Sequence, residues 1–218
     1  MCLTDLQAKR KLRDRVSEGL HTRILAYGSS NTARRLEGMH WFDCLDLAIH
    51  QKFGRIHTCI NTGVGGDTTR DLIDRFERDA EFYQPDIAFI TIGGNDSNPT
   101  RHLPHEEFRD NLLLLHDRFS RLGTLVVFQT YYSVREDMIE ADTFRRFHEF
   151  MAIIRSTAAD TGADIIDHIS RWEKLRKENL LLYRSLMADG MHVNSAGNLV
   201  LGMDLAAAFG LSLSDNKS

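Results

Sequence analysis

Four separated segments of the sequence carry groups that suit one reaction. Residues 28–31 (Gly-Ser-Ser-Asn) offer a hydroxyl nucleophile, and residues 189–192 (Asp-Gly-Met-His) offer an imidazole with a carboxylate three residues before it. Between them, Gly66 and residues 94–96 (Gly-Asn-Asp) offer hydrogen-bond donors. A nucleophile, a base and donors for an oxyanion are the parts of a serine hydrolase.

Each of these groups has a definite expected role. A serine hydroxyl is a poor nucleophile until a base takes its proton, so we expect Ser30 to attack and His192 to act as the base. Asp189 would hold the imidazole tautomer and stabilise the imidazolium. The oxyanion of the tetrahedral intermediate needs fixed donors, which the backbone N–H groups of Ser30 and Gly66 and the side-chain amide of Asn95 can supply.

Short apolar runs precede the first three segments and predict the strands that position them. Because their apolarity is continuous rather than alternating, these runs are typical of a parallel sheet that is buried on both faces. Ligands of such sheets bind beyond the carboxyl ends of the strands, where Ser30, Gly66 and Asn95 all fall. The predicted strands are residues 23–27, 56–60, 87–92, 125–129 and 164–166.

Helical periodicity separates these strands and predicts a three-layer α/β sandwich. The predicted helices are residues 39–53, 68–83, 104–121, 138–161 and 195–209. We divide the chain into an amphipathic helical extension (1–22), the catalytic domain (23–211) and a tail (212–218). The extension is either an extra helix packed on the domain or a dimerisation helix, and the oligomeric state stays open.

Composition limits the function classes. The chain has 218 residues, a formal net charge of -4 and a sequence pI of about 6.2, so no basic field predicts nucleic-acid binding. It contains no apolar run long enough for a signal peptide or a membrane span, which predicts a cytoplasmic enzyme. Cys2, Cys44 and Cys59 are widely spaced and include no CxxC pair, which argues against a disulfide framework or a zinc site.

Two other classes of protein are disfavoured. Gly63 and Gly65 follow a strand and open a helix, but a dinucleotide fingerprint needs a third glycine at position 68, which is Thr68. The remaining histidines have no metal-ligand spacing on a shared helix face. We therefore expect no cofactor and no metal, and a small-molecule ester as the partner of the site.

The four segments resemble the SGNH hydrolases, also called the GDSL lipase/acylhydrolase family, from about residue 23 to residue 209. The resemblance implies a flavodoxin-like sandwich with the sheet order 2-1-3-4-5 and metal-free ester hydrolysis. It also implies Ser30 as nucleophile, Gly66 and Asn95 in the oxyanion hole, and Asp189 and His192 completing the triad. One position departs from the family, which usually has Asp before the nucleophile where this chain has Ser29.

The substrate is less defined by the sequence. A mixture of aromatic, Arg and Asn side chains near the predicted site favours a small polar ester, such as an acetylated sugar. The alternatives are a lysophospholipase or thioesterase activity, or a catalytically inactive relative that binds sugars. The candidate substrate-binding residues are Asn98, Tyr131, Arg135 and Trp172, with Arg101, Tyr132, Tyr183 and Met191 as further pocket candidates.

Overall fold

The computed structural model describes residues 6–213 of the chain. Its strands are β1 (Thr22–Gly28), β2 (His57–Asn61), β3 (Ile87–Thr91), β4 (Leu125–Gln129) and β5 (Asp164–Ile166). They form one parallel sheet with the order β2-β1-β3-β4-β5. Helices cover both faces, so the predicted three-layer sandwich and its strand order are confirmed, and every strand lies within one residue of its predicted bounds.

The helices follow the predicted periodicity with two differences. They are α1 (Gln7–Ser17), α2 (Trp41–Phe53), α3 (Thr69–Asp74), α4 (Phe76–Asp79), α5 (His105–Arg121), α6 (Ala141–Thr161), α7 (His168–Glu178), α8 (Leu180–Ser185) and α9 (Ser195–Ala208). The apolar periodicity of the sequence predicts no helix where α7 and α8 lie. Among these helices, none is both long and apolar enough to cross a membrane.

The prediction of one continuous helix over 68–83 is wrong. α3 ends at Asp74, Arg75 adopts φ -99° and ψ 11°, and α4 and a 3-10 turn at 81–83 follow. This break directs the Arg75 guanidinium towards the sheet, where it donates to the carbonyl oxygens of Thr62 at 2.7 Å and Gly28 at 3.0 Å. These bonds give the carbonyl of Thr62 a donor and the carbonyl of Gly28 a second one, besides the backbone N–H of Val64.

The sheet is buried on both faces because alternate residues of its strands enter two separate cores. On one face, Ile24 and Ala26 of β1 pack with apolar residues of α1, α2 and α9. On the other, Leu25 and Tyr27 pack with residues of α3, α4, α5 and α6. This double burial explains the continuous apolarity of the central strands.

The helix α1 is part of the core rather than a detached extension. Leu6, Ala8 and Leu12 are buried in the same cluster as β1. The carboxylate of Asp164 accepts hydrogen bonds from the backbone N–H groups of Gln7 (3.0 Å) and Ala8 (2.7 Å), which places a negative charge at the amino end of α1. Residues 1–5 of the predicted extension and 214–218 of the predicted tail lie outside the described residues.

We predict that Leu12→Ala lowers the free energy of unfolding by about 2–4 kcal/mol, because this side chain is 2% exposed and its loss leaves a cavity. Leu20→Ala is the matched control, since Leu20 is 44% exposed and its truncation should cost less than about 0.5 kcal/mol. Urea unfolding followed by circular dichroism measures both. If both substitutions lowered the free energy of unfolding by the same small amount, α1 would not belong to the core.

Candidate active site

The side chains of Ser30, His192 and Asp189 form one hydrogen-bonded chain. Ser30 Oγ lies 2.9 Å from His192 Nε2, and His192 Nδ1 lies 2.8 Å from Asp189 Oδ2. If Nδ1–H donates to the carboxylate, the Nε2 lone pair faces the serine hydroxyl. This is the geometry that a general base requires to take a proton from a nucleophile.

Asp189 also organises the turn that carries the imidazole. Its Oδ1 accepts hydrogen bonds from the backbone N–H groups of Met191 at 2.7 Å and His192 at 2.8 Å. Burial works to raise the pKa of the Asp189 carboxyl, but these hydrogen bonds and the His192 imidazole outweigh it, and the pKa lies below its usual range. Asp189 is therefore ionised at neutral pH and can stabilise an imidazolium beside it.

The nucleophile lies on a tight turn at the end of β1. A Cβ on Gly28 would be 2.3 Å from the carbonyl oxygen of Thr91 in β3, so only glycine fits there. The carbonyl of Ser29 accepts hydrogen bonds from the backbone N–H groups of Thr32 (3.0 Å) and Ala33 (2.9 Å). The turn leaves the Ser30 side chain accessible to solvent and to His192.

Ser29 points the opposite way. Its side chain is fully buried, and its Oγ lies 2.8 Å from the hydroxyl of Tyr131. This contact supplies a polar partner at the position where the family usually has Asp. Ser29 is thus a buried support of the turn, with no path to the cleft that Ser30 faces.

The loop that carries the predicted donor Gly66 passes close to the nucleophile, and the predicted donor Asn95 is hydrogen-bonded to that loop. A Cβ built on Gly65 would be 4.0 Å from Ser30 Cβ, which places the adjoining Gly66 next to the nucleophile. Gly66 has φ +89°, a conformation that favours glycine. Asn95 Nδ2 donates to the carbonyl oxygen of Asp67 at 2.8 Å, which fixes the amide and leaves its second N–H available to a substrate oxygen.

The Arg75 guanidinium holds the turns around Ser30 and Gly66 in place. Besides its bonds to the backbone at the ends of β1 and β2, its Nε donates to Asp67 Oδ2 at 2.7 Å. The guanidinium also lies over the ring of Tyr27, 4.5 Å from its centroid. Because Asp67 orients Asn95 through its carbonyl, Arg75 connects the nucleophile turn to the oxyanion donors.

The hydroxyl of Tyr132 joins the nucleophile turn to the histidine turn. It lies 2.6 Å from Asn31 Oδ1, 2.7 Å from the carbonyl oxygen of Met191 and 2.9 Å from the backbone nitrogen of Val193. Asn31 directly follows Ser30 in the sequence, and Met191 and Val193 directly precede and follow His192. The ring is 2% exposed and packs against Trp172, so the hydroxyl is held rigidly.

An open cleft lies over Ser30 and His192. Its wall is formed mainly by the segment between the nucleophile and α2, with additional residues from the histidine turn and α9. The lining residues are Asn31, Ala33, Arg35, Leu36, Glu37, Met39, His40, Val193 and Asn198. Charged and amide groups thus stand beside a few apolar side chains.

One of these residues, His40, has a structural role as well. Its Nδ1 accepts from the backbone N–H of Phe42 in the first turn of α2, and its Nε2 lies 3.2 Å from the carbonyl oxygen of Asn31. Burial lowers the pKa of His40 to about 4, so the ring is neutral at neutral pH. His40 therefore anchors the cleft wall to the nucleophile turn.

The candidate substrate-binding residues do not line this cleft. Tyr131 and Trp172 are 2% and 1% exposed, because both fill the core beneath the site, and the structure does not bring them to the surface of the cleft. Asn98 accepts from the backbone N–H of Thr100 in a 3-10 turn, and Arg135 pairs with Asp137. The further candidates Arg101, Tyr132, Tyr183 and Met191 are also absent from the lining.

The sequence gives little indication of the residues that line the cleft, because 33–39 is an irregular segment without periodicity. The only signal in the sequence is its position directly after the nucleophile. Arg101, although it does not line the cleft, donates to the carbonyl oxygen of Gly66 at 3.3 Å and so supports the oxyanion turn.

Asp96 connects the Asn95 turn to α3. Its Oδ1 accepts from the backbone N–H and the hydroxyl of Thr69, both at 2.7 Å. Its Oδ2 is buried without a hydrogen-bond partner among the described residues. Burial raises the pKa of Asp96 to about 6 despite the bonds from Thr69.

The chain is similar to several known proteins. Residues 26–200 match the GDSL-like lipase/acylhydrolase family. An acetylxylan esterase of Geobacillus stearothermophilus is 26% identical over 152 residues, which cover 65% of this chain and 67% of that protein. An uncharacterised lipoprotein, YqeF of Bacillus subtilis (strain 168), is 27% identical over 52% of this chain and 49% of its own length.

Solved structures share the fold. The crystal structure of Axe2, an acetylxylan esterase from Geobacillus stearothermophilus, superposes with a TM-score of 0.76 at 21% identity and covers 91% of this chain and 99% of its own. LAE5, an α/β hydrolase from the metagenome of Lake Arreo in Spain, gives a TM-score of 0.75 at 23% identity, covering 88% and 96%. These similarities extend over the sheet and both helical layers.

We predict that Tyr132→Phe lowers kcat about tenfold with little change in KM. The change leaves three polar groups of the two turns without their common partner and so loosens the spacing of Ser30 and His192. Steady-state kinetics on p-nitrophenyl acetate measure the effect. Tyr83→Phe, on the 3-10 turn at 81–83, is the control, and equal kcat values for the two variants would contradict a positioning role.

We predict that Asp96 makes the protein less stable as pH rises from about 4 to 6. In that range the folded state keeps a proton that the unfolded state has released, so stability declines by up to about 3 kcal/mol. Asp96→Asn keeps an acceptor for Thr69 and should remove this decline. Chemical unfolding at several pH values tests it, with the exposed Asp74→Asn as control. An unchanged pH dependence in Asp96→Asn would contradict the prediction.

Proposed function

The chain belongs to the GDSL-like lipase/acylhydrolase family and is an ester hydrolase, and we propose that it removes acetyl groups from carbohydrates through an acyl-enzyme on Ser30. The observation that carries the mechanism is the continuous chain of hydrogen bonds from Ser30 through His192 to Asp189. The polar cleft above it supports the substrate class.

In the first half-reaction, Ser30 Oγ attacks the acetyl carbonyl carbon while His192 Nε2 takes the hydroxyl proton. The new oxyanion accepts hydrogen bonds from the backbone N–H groups of Ser30 and Gly66 and from the Asn95 amide. His192 then gives its proton to the sugar oxygen, the ester bond breaks, and Ser30 is left acetylated. Asp189 stabilises the imidazolium while it exists.

The second half-reaction uses the same groups. A water molecule enters where the sugar oxygen left, and His192 takes one of its protons as the water attacks the acetyl carbon. When the second tetrahedral intermediate collapses, the Ser30 oxygen leaves with the proton from His192 and acetate is released. The enzyme returns to its starting state without a redox step.

The cleft favours a short acyl group on a polar alcohol. Arg35, Glu37 and Asn198 offer charged and amide groups that can hydrogen-bond sugar hydroxyls. Leu36 and Met39 provide a small apolar contact for a methyl group or a sugar face. The similarity to an acetylxylan esterase over two thirds of both chains supports the same substrate class.

We predict that the enzyme hydrolyses acetylated xylo-oligosaccharides and p-nitrophenyl acetate in the presence of EDTA, with kcat/KM declining as the acyl chain lengthens. Acetate release and p-nitrophenol absorbance measure the two reactions. Lysophosphatidylcholine and an acyl thioester are the competing substrates. A preference for palmitoyl over acetyl esters would replace the carbohydrate proposal with a lipase-like one.

Two serine variants test the proposed mechanism independently of the proposed substrate. Ser30→Ala should lower ester turnover roughly 10⁴-fold or more with the fold intact. Ser29→Ala should cost far less, because Ser29 is buried against Tyr131. Comparable losses from both, or labelling of Ser29 by a fluorophosphonate probe, would reassign the nucleophile.

A further inference from the structure

Three potential metal-binding side chains meet between α2 and the edge strand β2. Asp46 comes from α2, and His57 and Cys59 are two residues apart on β2, so that they share one face of the sheet. One donor atom from each residue lies within 4.8 Å of the others. His57 Nε2 lies 2.6 Å from Asp46 Oδ1, and the Cys59 thiol lies within 4.8 Å of both groups.

The donor set suits a borderline-soft cation. A thiolate, an imidazole and a carboxylate match the ligands of zinc, whereas Mg²⁺ and Ca²⁺ prefer oxygen alone. At zinc bond lengths, tetrahedral ligand atoms stand roughly 3.4–3.8 Å apart. His57 Nε2 and Asp46 Oδ1 are closer than that, at 2.6 Å, so the Asp46 side chain, which is 53% exposed, would have to shift to admit a cation.

Without a cation, the Cys59 thiol keeps its proton. Burial and the neighbouring Asp46 raise the pKa of the Cys59 thiol well above its usual range, and the negative charge of Asp43 contributes in the same direction. A bound cation would replace the thiol proton, which passes to solvent, while the imidazole proton moves to Nδ1. The carboxylates that disfavour a bare thiolate favour a cation beside it.

We propose that Asp46, His57 and Cys59 bind a zinc-like divalent cation, with solvent as the fourth ligand. Cys59 pairs with Ile24 in the sheet register, four residues before the cleft end of β1 at Gly28. The site is therefore roughly 13 Å or more from the nucleophile turn. Its role is to fasten α2 to the edge of the sheet rather than to take part in ester hydrolysis.

Cobalt is the probe of the three ligands. Chelator-treated, tag-free protein titrated with Co²⁺ should develop a thiolate-to-cobalt charge-transfer band and the visible bands of a tetrahedral site, saturating at one equivalent. Cys59→Ser should remove the charge-transfer band, and His57→Gln should weaken binding at least tenfold. Cys2→Ser is the matched control that keeps the site. Far-UV circular dichroism establishes that each variant is folded.

Zinc provides an independent readout. Zn²⁺ at about a hundredfold excess over its dissociation constant should raise the Tm by roughly 5 °C or more, and Mg²⁺ should not. Absence of the charge-transfer band in the wild type would overturn the proposal. Its persistence in Cys59→Ser, or unchanged affinity in His57→Gln, would also overturn it, because the cation would then be bound elsewhere.

Discussion

The parallel pairing of β1 with β3 determines where the catalytic groups can lie. Both strands are buried on two faces, and their register brings Gly28 opposite Thr91, so the chain must leave the sheet at the same edge from each strand. Gly28 has no room for a side chain at this contact. The nucleophile turn and the Asn95 turn consequently start from adjacent, fixed points, and no further element is needed to bring them together.

Polar contacts beneath the cleft then fix the details. Arg75 binds the backbone at the ends of β1 and β2 and the carboxylate of Asp67, and Tyr132 joins the nucleophile turn to the histidine turn. A buried polar group that loses its partner costs about 1–3 kcal/mol, so these contacts resist displacement. Such rigidity matters because preorganised donors act without rearranging during the reaction.

Two carboxylates close to the catalytic groups differ in how well hydrogen bonds stabilise their charge. Asp189 gains enough hydrogen bonds to stay ionised, as a partner of His192 must. Asp96, one residue beyond Asn95, is only half satisfied and has a raised pKa, so it lowers stability near neutral pH. Stability is thus reduced close to the oxyanion donors, where Asp96 ties the Asn95 turn to α3.

The sequence by itself determined the fold and the catalytic candidates. Continuous apolar runs identify buried parallel strands, and the types of Ser30, Asp189 and His192 define one chemistry. Only the tertiary structure decided what surrounds them. Tyr131 and Trp172 have the composition of a binding site yet fill the core, while the irregular segment 33–39 forms the cleft wall. Local pattern and periodicity do not encode contacts between elements that are distant in sequence. Such contacts decide which aromatic rings are buried, where the helix breaks at Arg75, and that Asp46 meets Cys59.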